Sequence, residues 1–280
     1  MRKILITGAG SYIGTSFAAY AGAHFPDWQV DTLDLLDENW RETDFAGYDS
    51  VFHVAGIAHE KETKENEPLY YKVNRDLAVE VCEKAKREGV GQFVFLSSMS
   101  VYGVDHGRIT KDTPPAPVTH YGRSKLQAEQ GITPLADEQF KVCVLRPPMV
   151  YGKGCRGNFS SMLRLVGKYP VFPRVKNERS MLHIDNLCCF LCKRMEEGRG
   201  GLFFPQNRVY VNPSRMAVWI GEALGKKRRL SRLLGLGARM LRPIVPAADK
   251  AFGTLVYENT EDFGFDYCVI GSEKSVKKSV

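Results

Sequence analysis

The chain contains no apolar run approaching the roughly 20 residues needed to cross a bilayer, so a transmembrane segment is not expected. No signal peptide precedes the first apolar strand, and a cytoplasmic location is therefore expected. Internal repeats and low-complexity segments are missing as well, which sets aside solenoids and repeat arrays. The seven cysteines are an odd number, and no second Cys/His pair at zinc spacing accompanies them. Neither a disulfide framework nor a metal site is expected. Cys188, Cys189 and Cys192 fall in an apolar helical stretch and read as reduced core thiols. A formal charge of +7 comes without a recognised nucleic-acid-reading module, so anionic small ligands explain it better than nucleic acid.

What is present begins at the first strand. Lys3–Thr7 is a short apolar run that ends in Gly8-Ala9-Gly10-Ser11-Tyr12-Ile13-Gly14 and passes into Thr15–Tyr20: buried strand, tight turn, helix. In such a unit Gly8 makes the turn, Gly10 lets the backbone approach a pyrophosphate, and Gly14 allows helix to pack on strand. The phosphates sit against free N–H groups at the positive helix end, so Tyr12 and Ile13 join the glycines as cofactor-binding candidates. Trp28–Asp34 reads as the second strand and places Asp34 20 residues beyond Gly14. A carboxylate there accepts from a ribose 2′-OH and repels a 2′-phosphate, favouring NAD over NADP. Asp31 is the nearer alternative, and Arg41 keeps the phosphorylated cofactor open.

Tyr121 is followed four residues later by Lys125, which puts both on one helical face, with Ser97-Ser98-Met99-Ser100 upstream. A phenol that titrates near pH ~10 accepts a proton at neutral pH only when a nearby ammonium and the positive charge of an oxidised nicotinamide favour the phenolate. Lys125 would supply the first of these charges, and a serine hydroxyl would align the substrate oxygen, giving acid/base chemistry without metal or histidine. His53 and His183 lie in apolar runs and read as packed residues, whereas His59 and His120 are candidate substrate contacts.

Glu67–Glu88 reads as one long helix and Gln92–Ser97 as a strand carrying the serine at its carboxyl end. Pro114, Pro115 and Pro117 stiffen the approach to the Tyr121 helix, for which Thr119 is a candidate N-cap. Only 15 residues separate Asp34 from Ser50, so the intervening helix and strand are abbreviated, with Trp40 or Arg41 expected to cover part of the adenine pocket. Beyond Gly152 a helix near Asn158–Gly167 opens a small C-terminal substrate-binding lobe. The expected division is 1–152 and 181–210 for the nucleotide lobe, and 153–180 and 211–280 for the substrate lobe. The Ser/Lys-rich terminus from Ser272 is expected to fray. Basic and apolar residues interleave from Lys226 to Arg242, which reads as a solvated face, with weak contact to an anionic membrane surface as the alternative.

Taken together, these segments resemble the extended short-chain dehydrogenase/reductase family, and within it the NAD-dependent epimerase/dehydratases of nucleotide sugars. The resemblance runs through Thr7–Gly14, His53-Val54-Ala55-Gly56, Asn74, Ser97–Gly103, Tyr121–Lys125, Arg146–Gly152 and Arg179–Asp185. It implies an α/β, Rossmann-type doubly wound parallel sheet, with Ser98, Tyr121 and Lys125 as the catalytic triad. It further implies Ala55 and Gly56 along the cofactor, Pro148 near the nicotinamide, and Asn74 as a buried structural residue. Arg179 would hold a nucleotide diphosphate and Asn158 would touch substrate. The family's middle loop glycine, usual at the position of Ser11, stands here at Gly10. Ser98-Met99-Ser100 replaces the Thr-Asp-Glu of dehydratases that eliminate water, and Ala58 stands where UDP-galactose 4-epimerase carries a cofactor-binding lysine. The expected activity is NAD-dependent epimerisation at C4 of a UDP-hexose through a 4-keto intermediate, by a homodimer. A nucleotide-sugar 4-reductase and a non-catalytic NAD-binding regulator are the alternatives.

Overall fold

The computed structural model describes residues 1–58, 60–242, 244–245, 252–258 and 262–280; His59, a candidate substrate contact, lies outside the described residues. Along the chain run β1 (Arg2–Thr7), α1 (Tyr12–His24), β2 (Trp28–Leu33), β3 (Ser50–His53), α2 (Glu67–Tyr71), α3 (Leu77–Arg87) and β4 (Gln92–Leu96). Next come β5 (Gly107–Ile109), α4 (His120–Ile132), β6 (Lys141–Leu145), β7 (Met149–Tyr151), α5 (Asn158–Lys168), β8 (Val171–Pro173), β9 (Met181–His183) and α6 (Ile184–Glu197). Then follow β10 (Gly201–Phe203), α7 (Pro213–Ala223), β11 (Arg229–Ser231), α8 (Arg232–Leu241), β12 (Leu255–Tyr257) and α9 (Ser272–Lys278). Two compact units result: Met1–Gly103, Pro115–Pro147 and Cys188–Pro205 form one, and Val104–Pro114, Pro148–Leu187 and Gln206–Val280 the other. Residues 104–114, 148–152, 181–187 and 206–210, assigned from sequence to the nucleotide lobe, group with the second unit.

The first unit is a six-stranded sheet in the order β10-β6-β4-β3-β1-β2, parallel throughout. Strands β3 and β4 are buried at every residue, as expected for strands covered on both faces. From β1 the chain goes to β2 on one side and to β3 on the other, so the order reverses at β1 and leaves a crevice beyond the strand ends. The short link from Asp34 to Ser50 holds a single 3-10 turn, Glu38–Glu42. Trp40 on that turn is 2% exposed and packs with Leu5, Phe45 and Val51, filling core where a longer connection would have placed a helix. This corrects the expectation that it covers the adenine pocket. Arg41 is turned onto Glu80 in a two-pronged ion pair. The expected helix over Glu67–Glu88 is helical from Glu67 to Arg87, but a wider π turn at Lys72–Asp76 separates α2 from α3.

In the second unit three parallel two-stranded ribbons form, β7 with β9, β8 with β11, and β5 with β12. The segment from Ser272 is ordered as α9 instead of fraying. Ser275 and Val276 are buried, the Ser275 hydroxyl meets Tyr151 Oη at 2.6 Å, and Lys277 bridges Glu222 and Glu273. None of the seven cysteines is in a disulfide, and six are buried. Burial raises the Cys143 thiol to about 12, so it is inert at neutral pH.

Candidate active site

Gly8 follows β1 with φ +118°, and a Cβ there would stand 2.7 Å from the Ala55 nitrogen, so only glycine lets the turn pass beneath the end of β3. The Gly8 and Ala9 amides donate to Leu33 O at 3.0 and 3.2 Å, tying the turn to the end of β2. Gly10, at φ +74°, takes the left-handed position, which frees Ser11 to cap α1 by accepting from the Gly14 amide at 3.2 Å. The shifted glycine is thus compensated by a capping serine. Among the described residues the amides of Gly10 and Ile13 have no protein acceptor, so they fit an anionic group at the positive helix end. Asp34 is exposed just past Leu33, its Oδ1 accepting from the Leu36 amide. Asp31 instead accepts from Tyr48 Oη and Gln29 Nε2 within the strand region. This donor set and the outer carboxylate fit a dinucleotide.

Beyond β3 the Val54 and Ala55 amides both donate to Thr7 O at 3.0 Å, which holds the two strand ends together. Asn74, on the π turn, is fully buried; its Oδ1 accepts from the Ile57 amide at 2.8 Å and its Nδ2 donates to Ile57 O and Ser124 Oγ. The widened turn is what aims this side chain at the Gly56 loop. A Cβ on Gly56 would lie 2.9 Å from Asn74 Oδ1 and 3.2 Å from Lys125 Nζ, so the loop runs directly over the lysine.

Thr119 caps α4 as expected, accepting from the Gly122 amide at 3.0 Å. Tyr121 lies in the first turn, and Lys125, one turn on, is buried. Ser98 opens a short turn after β4, where its Oγ accepts from the Ser100 amide and donates to Ser100 Oγ, both at 3.1 Å. The Ser98 hydroxyl is also close enough to the Tyr121 phenol to act on its ionisation. Lys125 Nζ donates to Leu96 O at 2.9 Å and sits 4.7 Å from the centre of the Phe95 ring. Burial lowers the Lys125 ammonium from 10.5 to about 8, opposed by the Glu129 carboxylate. The Tyr121 phenol is shifted the other way, upward, chiefly by burial, with Ser98 pulling it down and Tyr70 pushing it up. Desolvation therefore sets the direction of the phenol in the protein alone, and Lys125 by itself does not make it acidic.

Three groups escaped sequence reasoning. Glu62 accepts from the His120 and Tyr121 amides at 3.0 and 2.9 Å, so a distant loop carboxylate fixes the start of α4. Nothing local in sequence marks it. Gly122 lets α4 press on the serine loop, since a Cβ there would lie 2.5 Å from Ser100 O. Beneath them Glu129 accepts from Ser97 Oγ and pairs with Arg146, whose Nη1 donates to Tyr102 Oη at 2.9 Å. That network did carry a signal: Tyr121, Lys125 and Glu129 repeat every four residues on one face.

His120 Nδ1 meets Tyr71 Oη at 3.0 Å, and its Nε2 lies 3.5 Å from Glu67. His53 is packed and neutral, its Nδ1 2.9 Å from Thr7 Oγ1; burial, with Lys125 adding, lowers it to about 3. Pro148, Asn158 and Arg179 belong to the second unit. Pro148 precedes β7, Asn158 is the exposed first residue of α5, and Arg179 Nη1 donates to Asp105 O at 3.2 Å.

Residues 4–203 match the NAD dependent epimerase/dehydratase family. The N-acetyl-alpha-D-glucosaminyl-diphospho-ditrans,octacis-undecaprenol 4-epimerase of Escherichia coli O157:H7 is 25% identical over 244 residues, 80% of this chain and 73% of that protein. The UDP-glucose 4-epimerase of Vibrio cholerae is 39% identical over 213 residues, 66% of this chain and 64% of that one, just under two thirds of its length. Among solved structures, UDP-glucuronic acid 4-epimerase from Bacillus cereus in complex with NAD aligns with a TM-score of 0.74 at 17% identity, covering 99% of this chain and 95% of that one, which supports the fold. With two thirds of its length matched and a parallel sheet carrying the glycine loop at its switch point, the chain belongs to the NAD-dependent epimerase/dehydratase family of enzymes.

Proposed function

We propose that the protein inverts C4 of a UDP-linked hexose through a 4-keto intermediate. The observation that carries this reading is that Tyr121 and Lys125 lie one turn apart on α4, with Ser98 acting on the phenol and the Gly56 loop over the lysine. Gly8, Gly10, Tyr12, Ile13, Gly14, Asp34, Ala55 and Gly56 would hold NAD, which would supply the hydride acceptor and donor when bound. Ser98 aligns the C4 oxygen. Tyr121 takes the hydroxyl proton and returns it to the keto oxygen after the sugar has turned over, so no net redox change results. Lys125 lies on the same face and stabilises the phenolate when the phenol ionises. The phenol's upward shift supports a mechanism in which it gives up its proton only when further positive charge adjoins it.

Met99 and Ser100 offer no carboxylate for eliminating water, which supports epimerisation over dehydration. Both sequence relatives above are named as 4-epimerases, one with a UDP carrier and one with an undecaprenyl diphosphate carrier, so chemistry at C4 is better supported than the carrier. Arg179 is the proposed diphosphate contact and Asn158 the proposed sugar contact. A cytoplasmic homodimer, joined through the α3 and α4 helices, is part of the same proposal, and sedimentation velocity checks the oligomer. Incubating the purified protein with a panel of UDP-hexoses, with and without added NADH, tests the reaction. Inversion at C4 with no NADH consumed is expected; turnover that requires stoichiometric NADH would replace it with a 4-reductase.

A further inference from the structure

Helix α8 buries its small residues and presents its large ones to solvent. It packs against β8 through Gly235, where a Cβ would stand 2.2 Å from Arg174 O, and through Ala238 one turn on. Leu233, Leu236 and Met240 recur at three- and four-residue spacing on one helical face, 78%, 54% and 66% exposed. Leu234 and Leu241 widen the stripe, and Ile244 beyond the helix is exposed as well. Single exposed leucines need no explanation, but a continuous stripe of this kind marks an interaction surface.

Charge defines the partner. Seven basic residues and no acidic one fall between Lys226 and Arg242. Lys226 and Arg228 are engaged by the last carbonyls of α5, donating to Gly167 O and Val166 O. Lys227, Arg229, Arg232 and Arg239 are exposed, and among the described residues none of them has an acidic partner. Arg232 and Arg239, seven residues apart, border the apolar stripe. We infer that this face lies on an anionic lipid bilayer, with the leucines and Met240 in the headgroup and acyl boundary and the arginines against phosphates. A second copy of the chain is a poorer occupant, because it would bring the same acid-free cationic set against itself. Among the described residues no helix is long and apolar enough to cross a membrane, so the attachment is peripheral. The inference does not depend on the C4 chemistry.

Co-sedimentation of the full chain with vesicles tests it. Vesicles of phosphatidylcholine with about 30 mol% phosphatidylglycerol should bind the protein at least about tenfold more tightly than phosphatidylcholine alone, and salt should weaken the difference. The double variant Leu236→Asp with Met240→Asp should lose binding, and Arg232→Gln with Arg239→Gln should weaken it about tenfold. Both pairs are exposed, so thermal midpoint and NAD binding should match the wild type, which separates failure of docking from failure of the enzyme. Absence of binding to the anionic vesicles, or unchanged binding by Leu236→Asp with Met240→Asp, overturns the inference. So does a wild type that ignores vesicles while the same variant turns from dimer to monomer, since the face would then join two copies.

Discussion

Replacing Lys125 by methionine isolates the electrostatic penalty of burying the proposed catalytic cation. Burial lowers the Lys125 ammonium from 10.5 to about 8. Below pH 8 both folded and unfolded chains hold the proton, and the folded state bears the full cost of a desolvated charge. Between about pH 8 and 10.5 the unfolded chain holds more protons than the folded one, so this contribution to stability rises with pH. For one such group, the rise from pH 7 to pH 9.5 is about 2 kcal/mol. Other groups titrate in the same range, among them buried thiols and the Tyr121 phenol, so the quantity to measure is wild-type stability minus that of Lys125→Met. Urea unfolding at several pH values, with slopes compared to confirm equal surface exposure, supplies it. The difference should climb by about 2 kcal/mol in favour of the wild type, while the variant loses turnover at every pH. A flat difference would mean that the ammonium is not desolvated, and the reasoning about the phenol beside it would fail with it.

Glu129→Gln leaves Arg146 buried with half of its ion pair, and should lower stability by about 3–5 kcal/mol in chemical denaturation. Gly122→Ala places a methyl group against Ser100 O and should cost about 1–3 kcal/mol, with kcat falling while NAD binding persists, measured by fluorescence titration. Asp34→Ser removes the carboxylate that repels a 2′-phosphate, and should shift the ratio of NADP to NAD affinity by about tenfold, or about 1.4 kcal/mol.

The parts of the site that were legible in sequence are those whose physics is local. Gly8 to Gly14 is a strand, a turn and a helix start within a few residues, and the Tyr121–Lys125 spacing is a property of one helix turn. Thr119 capped α4 as expected because a cap is decided within three residues. What was hidden depends on chain brought from elsewhere. Glu62 reaches the α4 amides from 58 residues away, and Trp40 was misjudged because only the assembled sheet shows the core it fills. The terminus from Ser272, polar in composition, is held by Tyr151 and Glu222, neither of which is near it in sequence. The upward shift of the Tyr121 phenol was hidden for a related reason: a cation on the same helix is visible in sequence, but the depth of burial is not.

The central claim, that Tyr121 exchanges the proton of the C4 hydroxyl while hydride leaves and returns at the same carbon, is tested most directly with a UDP-hexose deuterated at C4. By NMR, the wild type should give the inverted sugar with deuterium still at C4, and Tyr121→Phe, though it binds NAD, should slow inversion by about 10²–10⁴-fold. Inversion by Tyr121→Phe at the wild-type rate, or loss of the label to solvent, would contradict the account.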